Sequence, residues 1–192
     1  MIGIDEVGAG ALCGPVVVAA VWFDPPALPI ALLEALDDSK RLRAAERVRL
    51  AGALASLAVS ALAARSAKRI DAVGLRVATH EAMARAVDRL ARAGPIQVDG
   101  NAVPAALADR AEAVVRGESA VPQIAAASIL AKVCRDRLMG RLARRWPAYG
   151  WTFNVGYGTA AHRAALAEYG ATPHHRRSFA PVAAVALSPP AR

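Results

Sequence analysis

Two apolar stretches stand at the start of the chain, separated by a short link that contains glycine. Ile2 to Val7 predicts a β-strand, and Val16 to Phe23 predicts a second. The second stretch is apolar throughout, which is typical of a strand buried on both faces. Because the link is short, we expect the two strands to pair antiparallel.

The rest of the chain shows further patterns of helix and strand length. Helical periodicity predicts helices at about 44–55, 67–93, 123–146 and 160–169, with a break near Gly74 in the second. Short apolar segments predict strands at 57–64 and 95–99 and, more weakly, at 112–115. The first of these is rich in alanine, which leaves a helix possible.

Composition and charge narrow the class of protein. A length of 192 residues fits one domain with at most a small appendage, and hydrophobic residues make up 55%. Few are aromatic, so the core must be built from Ala, Val and Leu. A formal net charge of +8 favours a polyanionic partner, with nucleic acid ahead of an anionic membrane surface.

The cysteines and the apolar runs bear on location. Cys13 and Cys134 lie far apart, and neither belongs to a Cys-x-x-Cys motif or a Cys/His cluster in the sequence. This disfavours a disulfide framework and a zinc site, and fits a reducing cytoplasm. The longest mostly apolar stretch, Ala11 to Phe23, is too short to span a bilayer, so we expect a cytoplasmic protein without a membrane partner.

Adjacent carboxylates end the first predicted strand. Asp5 and Glu6 precede a turn that contains Gly8 and Gly10. A carboxylate pair at such a place is unfavourable without a cation, and oxygen ligands suit Mg²⁺ or Mn²⁺. The alternative is an ordinary solvated strand end. A third carboxylate, Asp99, also follows a short strand, and it would meet Asp5 if the two strands were parallel neighbours.

The longest predicted helix carries further candidate chemistry. Ser128, Lys132 and Asp136 are spaced by four and share one face, which could bring a carboxylate to a metal centre. The alternative is a solvated Lys-Asp pair. Lys40 belongs to the polar segment Asp38-Ser39-Lys40. This segment either places Lys40 near a phosphate or is an ordinary polar stretch before a helix.

Tyr157 stands between two glycines, as an exposed aromatic suited to stacking on a base or sugar. The alternative is a tyrosine at the edge of the core. His174 and His175 are adjacent rather than one helical turn apart, which disfavours a metal-binding pair.

The order and spacing of these motifs carry a family resemblance. The motifs are Asp5-Glu6 with its glycine loop, Asp38-Ser39-Lys40, Val98-Asp99-Gly100-Asn101, the segment 125–136, Gly156-Tyr157-Gly158-Thr159 and His175-Arg176-Arg177-Ser178-Phe179. Together they closely resemble ribonuclease HII over essentially the whole chain.

The resemblance implies an α/β protein of ribonuclease H-like fold. It has a mixed central β-sheet flanked by helices, and a small helical C-terminal part. The catalytic core would occupy 1–146, and a helical extension at 147–192 would pack on it to give a single domain. The implied activity is cleavage of the RNA strand of RNA/DNA hybrids, and of duplex DNA 5′ to embedded ribonucleotides. Products would carry a 3′-hydroxyl and a 5′-phosphate, and the protein is expected to be a monomer.

The resemblance also implies roles for particular residues. Metal-binding carboxylates would hold two divalent cations, Mn²⁺ or Mg²⁺, and other residues would contact substrate. The carboxylates are Asp5, Glu6, Asp99 and Asp136, and the substrate-binding residues are Gly8, Ala9, Gly10, Lys40, Ser128, Tyr157 and Arg176. Among the latter, the amides of the glycine loop would contact the ribose 2′-hydroxyl, and Tyr157 would lie against the sugar.

The chain departs from the family pattern at three positions that would normally be basic. Ala9 replaces the arginine of a Gly-Arg-Gly loop, and Ala120 and Val155 replace further basic residues. Lost phosphate contacts should weaken binding and flatten its salt dependence. These departures keep open an alternative, a diverged member that binds hybrids or junctions with weak or no turnover. A junction resolvase on the same fold is disfavoured by the Gly-Tyr-Gly and His-Arg-Arg-Ser-Phe segments.

Overall fold

The chain folds around a mixed five-stranded sheet. We analysed a computed structural model that describes residues 1–37, Ser39 and residues 41–186. The strands are β1 Ile2–Val7, β2 Val16–Trp22, β3 Val59–Arg65, β4 Ile96–Asp99 and β5 Ala111–Val114, in the spatial order β3-β2-β1-β4-β5. β2 pairs antiparallel with both β1 and β3, whereas β4 pairs parallel with both β1 and β5. The α/β class and the mixed sheet predicted from the sequence are confirmed.

Helices cover both faces of the sheet. They are α1 Ile30–Glu34, α2 Ala44–Leu57, α3 Ala67–Val73, α4 Leu75–Leu90, α5 Pro122–Arg145, α6 Trp151–Asn154, α7 Ala160–Tyr169 and α8 Ala180–Ala186. The break near Gly74 falls between α3 and α4 as predicted. The alanine-rich segment at 57–64 resolves as strand β3, because its backbone completes the ladder along β2.

The alternating side chains of β2 explain why both faces are apolar. Val17, Ala19 and Val21 pack with buried residues of α2 and α5 on one face. Val18 and Ala20 point to the other face and pack with α4. Every residue of β2 up to Val21 is buried, which confirms the prediction from its apolar run.

The helix α5 packs closely on β1, and this contact fixes one wall of the cavity described below. A Cβ on Gly3 would lie 2.3 Å from the main-chain carbonyl carbon of Gln123, so only glycine allows this approach. The helix therefore runs directly against the strand that carries Asp5. Side chains one to three turns along α5 are thereby directed towards the end of β1.

The segment after α5 packs on the first loop of the core. Trp151 and Tyr149 share a buried cluster with Cys13 and Met139. Leu12 packs with residues of α7 and α8.

Among the described residues, no helix is long and apolar enough to cross a membrane. The division at residue 146 stays a prediction, as does the cytoplasmic location.

Candidate active site

Three acidic residues meet at the carboxyl ends of adjacent parallel strands. Ile4 of β1 is in register with Val98 of β4, so Asp5 and Asp99 occupy equivalent next positions. The sequence predicted that Asp99 would meet Asp5 if their strands were parallel neighbours, and β1 and β4 are such neighbours. Together with Glu6 they border a cavity of about 520 Å³. Its other lining residues are Val7, Gly8, Ala9, Gly10, Ser39, Ser128, Lys132 and Tyr157.

Asp5 lies at the most buried point of the carboxylate group. Its side chain accepts hydrogen bonds from the Glu6 main-chain N–H, at 2.7 Å, and from Ser128 on α5. The pKa of Asp5 is raised from 3.8 to about 7. Burial is the main cause, and the nearby charges of Glu6 and Asp99 add to it against the lowering effect of the hydrogen bonds from Ser128 and the Glu6 main chain. An ionised Asp5 is therefore unfavourable here unless a cation is present.

Asp99 is oriented by a backbone donor. The main-chain N–H of Gly117 donates to Asp99 Oδ1 at 2.7 Å. A Cβ on Gly117 would lie 2.5 Å from Ile124 Cδ1, so the turn is pressed against α5. The carboxylate is thus held at the cavity wall by the loop that follows β5.

The fourth predicted carboxylate stands apart from the other three. Asp136 accepts a hydrogen bond from Lys132 Nζ at 2.7 Å and lies 3.8 Å from Arg47 Nη2. Among the described residues, it does not line the cavity that the other three carboxylates border. The predicted face of α5 does reach the cavity, since Ser128 and Lys132 both line it.

Ser39, which precedes α2, also lines the cavity. Its Oγ lies 2.9 Å from Ser128 Oγ, so both hydroxyl groups lie at the same wall of the cavity. Lys40 itself, predicted to contact phosphate, lies outside the described residues. Ser39 was not among the predicted site residues. The only signal for it in the sequence is its place in the Asp38-Ser39-Lys40 motif.

The glycine loop is held from behind by an arginine. Arg176 is completely buried and donates to the carbonyl oxygens of Gly8, at 2.6 Å, and Ala9, at 2.7 Å. Its Nε donates to the Gly14 carbonyl at 3.1 Å. The family resemblance implies that Arg176 contacts substrate. In the structure its guanidinium is instead occupied by the loop, so it cannot reach a phosphate in this arrangement.

Tyr157 lines the cavity next to the glycine loop, where a Cβ on Gly10 would lie 4.0 Å from its ring. It is half-buried and lines the cavity, and its ring lies 5.5 Å from Cζ of Arg135. Its main-chain N–H donates to the Asn154 carbonyl at 2.8 Å. The ring is thus neither fully exposed nor part of the core, and it faces the same space as the glycine loop.

One buried group brings together residues that form no cluster in the sequence. The thiol of Cys13 and the rings of His162 and His175 place ligand atoms within 4.8 Å of one another. Residues distant in sequence form this group, so spacing could not reveal it. Both cysteines are free thiols, as expected.

Hydrogen bonds account for this group without a metal. The ring N–H of Trp151 donates to His162 Nε2 at 3.0 Å, and His162 Nδ1 lies 2.9 Å from the Tyr157 carbonyl oxygen. The main-chain N–H of Thr172 donates to His175 Nδ1 at 3.0 Å, which leaves His175 Nε2 protonated and 3.1 Å from His162 Nε2. Both imidazoles are therefore neutral, with their acceptor nitrogens already engaged.

The fold and the site together define a class. A mixed sheet with acidic residues converging at the ends of adjacent parallel strands, in a chain of net charge +8, is the arrangement of a metal-dependent nuclease of ribonuclease H-like fold. Solved structures agree with this class. The ribonuclease H2 of Pyrococcus horikoshii matches with a TM-score of 0.80 at 23% identity, covering 96% of this chain and 95% of that one. The ribonuclease HII in a complex with PCNA from Archaeoglobus fulgidus matches with a TM-score of 0.77 at 27% identity, covering 92% of each chain.

Sequence comparison defines the family. Residues 2–182 match the family model described as Ribonuclease HII. A ribonuclease HII from Ruegeria pomeroyi is 52% identical over 92% of this chain and 74% of its own length. One from Paramagnetospirillum magneticum is 50% identical over 94% of this chain and 90% of its own length. The chain belongs to the ribonuclease HII family. Its activity is that of a metal-dependent ribonuclease H endonuclease, and nothing in these comparisons favours the alternative of a binder without turnover.

Proposed function

We propose that Asp5, Glu6, Asp99 and Asp136 hold two divalent cations, Mn²⁺ or Mg²⁺, at the ends of β1 and β4. The observation that carries the proposal is the convergence of three carboxylates on one cavity, with the pKa of Asp5 raised to about 7 by burial and by its acidic neighbours. The donor set consists of carboxylate oxygens, the ligands that these cations prefer. Cation binding would relieve the repulsion among the three.

Asp136 would join the set by exchanging its partners. In the structure its charge is balanced by Lys132 and, at longer range, by Arg47. Lys132 lines the same cavity, so its ammonium group already lies on the side from which a cation would approach. A dication would compete with this ammonium for the carboxylate.

The chemistry requires no nucleophile from the protein. When bound, such cations lower the pKa of water and stabilise the leaving oxygen of a phosphodiester. The chain's own residues bind and orient: Ser128 and the Glu6 main-chain N–H fix Asp5, and Gly117 fixes Asp99. Hydrolysis would leave a 3′-hydroxyl and a 5′-phosphate.

We propose that the substrate is an RNA/DNA hybrid or duplex DNA with an embedded ribonucleotide, cut on the 5′ side of the ribose. The glycine loop and Tyr157 line the same cavity side by side and would both contact the sugar. The main-chain amides would read the 2′-hydroxyl that separates RNA from DNA. Lys40 would add a phosphate contact, and the protein would act as a monomer in the cytoplasm.

The first experiment is cleavage of a labelled DNA duplex that carries one ribonucleotide, beside an all-RNA/DNA hybrid, with Mg²⁺, Mn²⁺ or a chelator. We expect cutting 5′ to the single ribonucleotide with either metal and none with chelator. Asp5→Asn should lose this activity, whereas Asp109→Asn, which removes an exposed carboxylate on another loop, should keep it. Binding of either duplex without any cutting would contradict the proposal.

A further inference from the structure

Two buried arginines lie behind the glycine loop and the Tyr157 segment. Arg135 and Arg176 are both fully buried, and neither forms an ion pair with any residue that the structure describes. Each guanidinium instead donates to three main-chain carbonyl oxygens. Burying a cation is unfavourable, so a protein that keeps two of them must gain something that only their donor geometry supplies.

The geometry of the trans peptide shows what Arg176 achieves. Its Nη2 and Nη1 hold the carbonyl oxygens of Gly8 and Ala9. In a trans peptide the C=O and the following N–H point in opposite directions, and the described chain contains no cis peptide. The N–H groups of Ala9 and Gly10 are therefore directed away from Arg176.

The open side of the loop is the cavity. Gly8, Ala9 and Gly10 all line it, and neither the Ala9 nor the Gly10 amide donates to a residue of the described ranges. Two adjacent backbone donors thus face the space where a sugar would bind. The planar guanidinium fork suits this task because it fixes two carbonyls with a set spacing.

Arg135 supports the neighbouring Tyr157 segment in the same way. Its Nη1 donates to the Val155 carbonyl at 2.8 Å, and its guanidinium lies beside the Tyr157 ring. Val155 has a φ of 42°, which β-branched residues rarely adopt, so the bond holds a backbone conformation that would otherwise be disfavoured. A Cβ on Gly8 would lie 2.1 Å from Arg135 Nε, so the glycine loop rests directly on this side chain.

We propose that Arg176 is a positioning residue for ribose recognition, which aims the amides of Ala9 and Gly10 at the 2′-hydroxyl by fixing the carbonyls of Gly8 and Ala9. The inference rests on the proposed function and deepens it. Arg176 touches no substrate, and its contribution is to the preference for ribose over deoxyribose rather than to affinity for the phosphate backbone.

The test compares two duplexes that differ only in one sugar, ribose or deoxyribose, at a single position. Dissociation constants are measured with chelator, so that neither duplex is cut, over a range of salt concentrations. The proteins are wild type, Arg176→Met, Arg176→Lys and the matched control Arg177→Met, whose side chain is exposed one residue further on. Thermal melting of each protein accompanies the binding data.

We expect the ribose preference of Arg176→Met to fall by roughly 3- to 10-fold, the worth of one neutral hydrogen bond, with affinity for the all-DNA duplex unchanged. Arg177→Met should keep the wild-type preference. Arg176→Lys keeps the charge but cannot bridge two carbonyls with a planar fork, so its preference should also fall. If Arg176→Met does not fold, the ribose preference of Arg176→Lys alone tests the role of Arg176.

Two results would overturn the inference. An unchanged ribose preference in Arg176→Lys would show that the fork does not set the amides. Equal weakening of both duplexes, with a flatter salt dependence, would show that Arg176 contacts phosphate instead. A wild type that neither prefers ribose nor cuts in the presence of metal would refute the proposed function, and this inference with it.

Discussion

Replacing Asp5 by Asn should make the metal-free protein more stable while it removes activity. Asparagine has nearly the same shape, can accept the Glu6 main-chain N–H through Oδ1 and can donate to Ser128. What it lacks is a charge in a buried place beside two other carboxylates. The substitution therefore isolates the electrostatic contribution of Asp5 from its packing.

The pKa of Asp5 sets the size and the pH range of the effect. In the folded protein it is raised from 3.8 to about 7, so the folded state binds the proton more tightly than the unfolded chain does. Stability is therefore lost as pH rises from about 4 to about 7, and the loss then stays constant. The shift corresponds to about 4 kcal/mol of unfolding free energy at pH 8, an amount that Asp5→Asn should recover.

The assay is urea unfolding of wild type and Asp5→Asn in chelator at several pH values between 4 and 8. The stability difference should be small at pH 4, grow with pH and level off near pH 7, with unchanged m-values. Saturating Mn²⁺ should stabilise wild type and not the variant. A variant that is no more stable than wild type at pH 8 in chelator would refute the electrostatic account of this site, and full cleavage by the variant would refute the metal assignment.

Three other predictions follow from neighbouring residues. Ala9→Arg should tighten duplex binding and steepen its salt dependence by roughly one phosphate contact, because the side chain would project from a residue that lines the cavity; unchanged affinity at fixed salt would contradict this. Gly8→Ala should destabilise the protein by about 2 kcal/mol or more, because its φ of 95° and its Cβ at 2.1 Å from Arg135 Nε are both unfavourable. In Gly10→Ala the Cβ would meet nothing closer than 4.0 Å, so this matched control should unfold at nearly the wild-type urea concentration. Burial, with the charges of neighbouring histidines, lowers the pKa of His175 to about 4, so its contribution is complete above pH 6.5 and is lost as pH falls towards 4. It amounts to about 3 kcal/mol, and His175→Gln should flatten this part of the stability–pH curve.

Local patterns were sufficient to predict most of the fold. The apolar runs of β1 and β2 encode strands because both faces of β2 are covered, and Gly74 marks the boundary of α3 and α4. The alanine-rich β3 was ambiguous because alanine favours helices, and only pairing with β2 decides in favour of a strand. Tertiary pairing of this kind leaves no signal in a single segment.

The candidate site was predictable where residue type and strand end coincide. Asp5, Glu6 and Asp99 followed from this rule, and the parallel pairing of β1 and β4 brings them together. Arg176 was harder, because an arginine in a basic motif resembles a phosphate ligand, and only the fold shows that it lies behind the loop. The contact of Cys13 with His162 and His175 could not be predicted either, because these histidines come from the other end of the chain.

Two buried groups of opposite charge lie on the two sides of the glycine loop, and among the described residues neither forms an ion pair. On one side, burial and acidic neighbours raise the pKa of Asp5 to about 7. Behind the glycine loop on the other side, burial and the charge of Arg135 lower the pKa of Arg176 to about 10. Both shifts are towards the neutral form, so the folded chain holds both groups in unfavourable electrostatic surroundings. A dication at the carboxylates would relieve the first, whereas Arg176 stays occupied by the loop carbonyl oxygens to which it donates. The stability that the free protein gives up at Asp5 is thus recovered when cations bind, which is the state in which cleavage takes place.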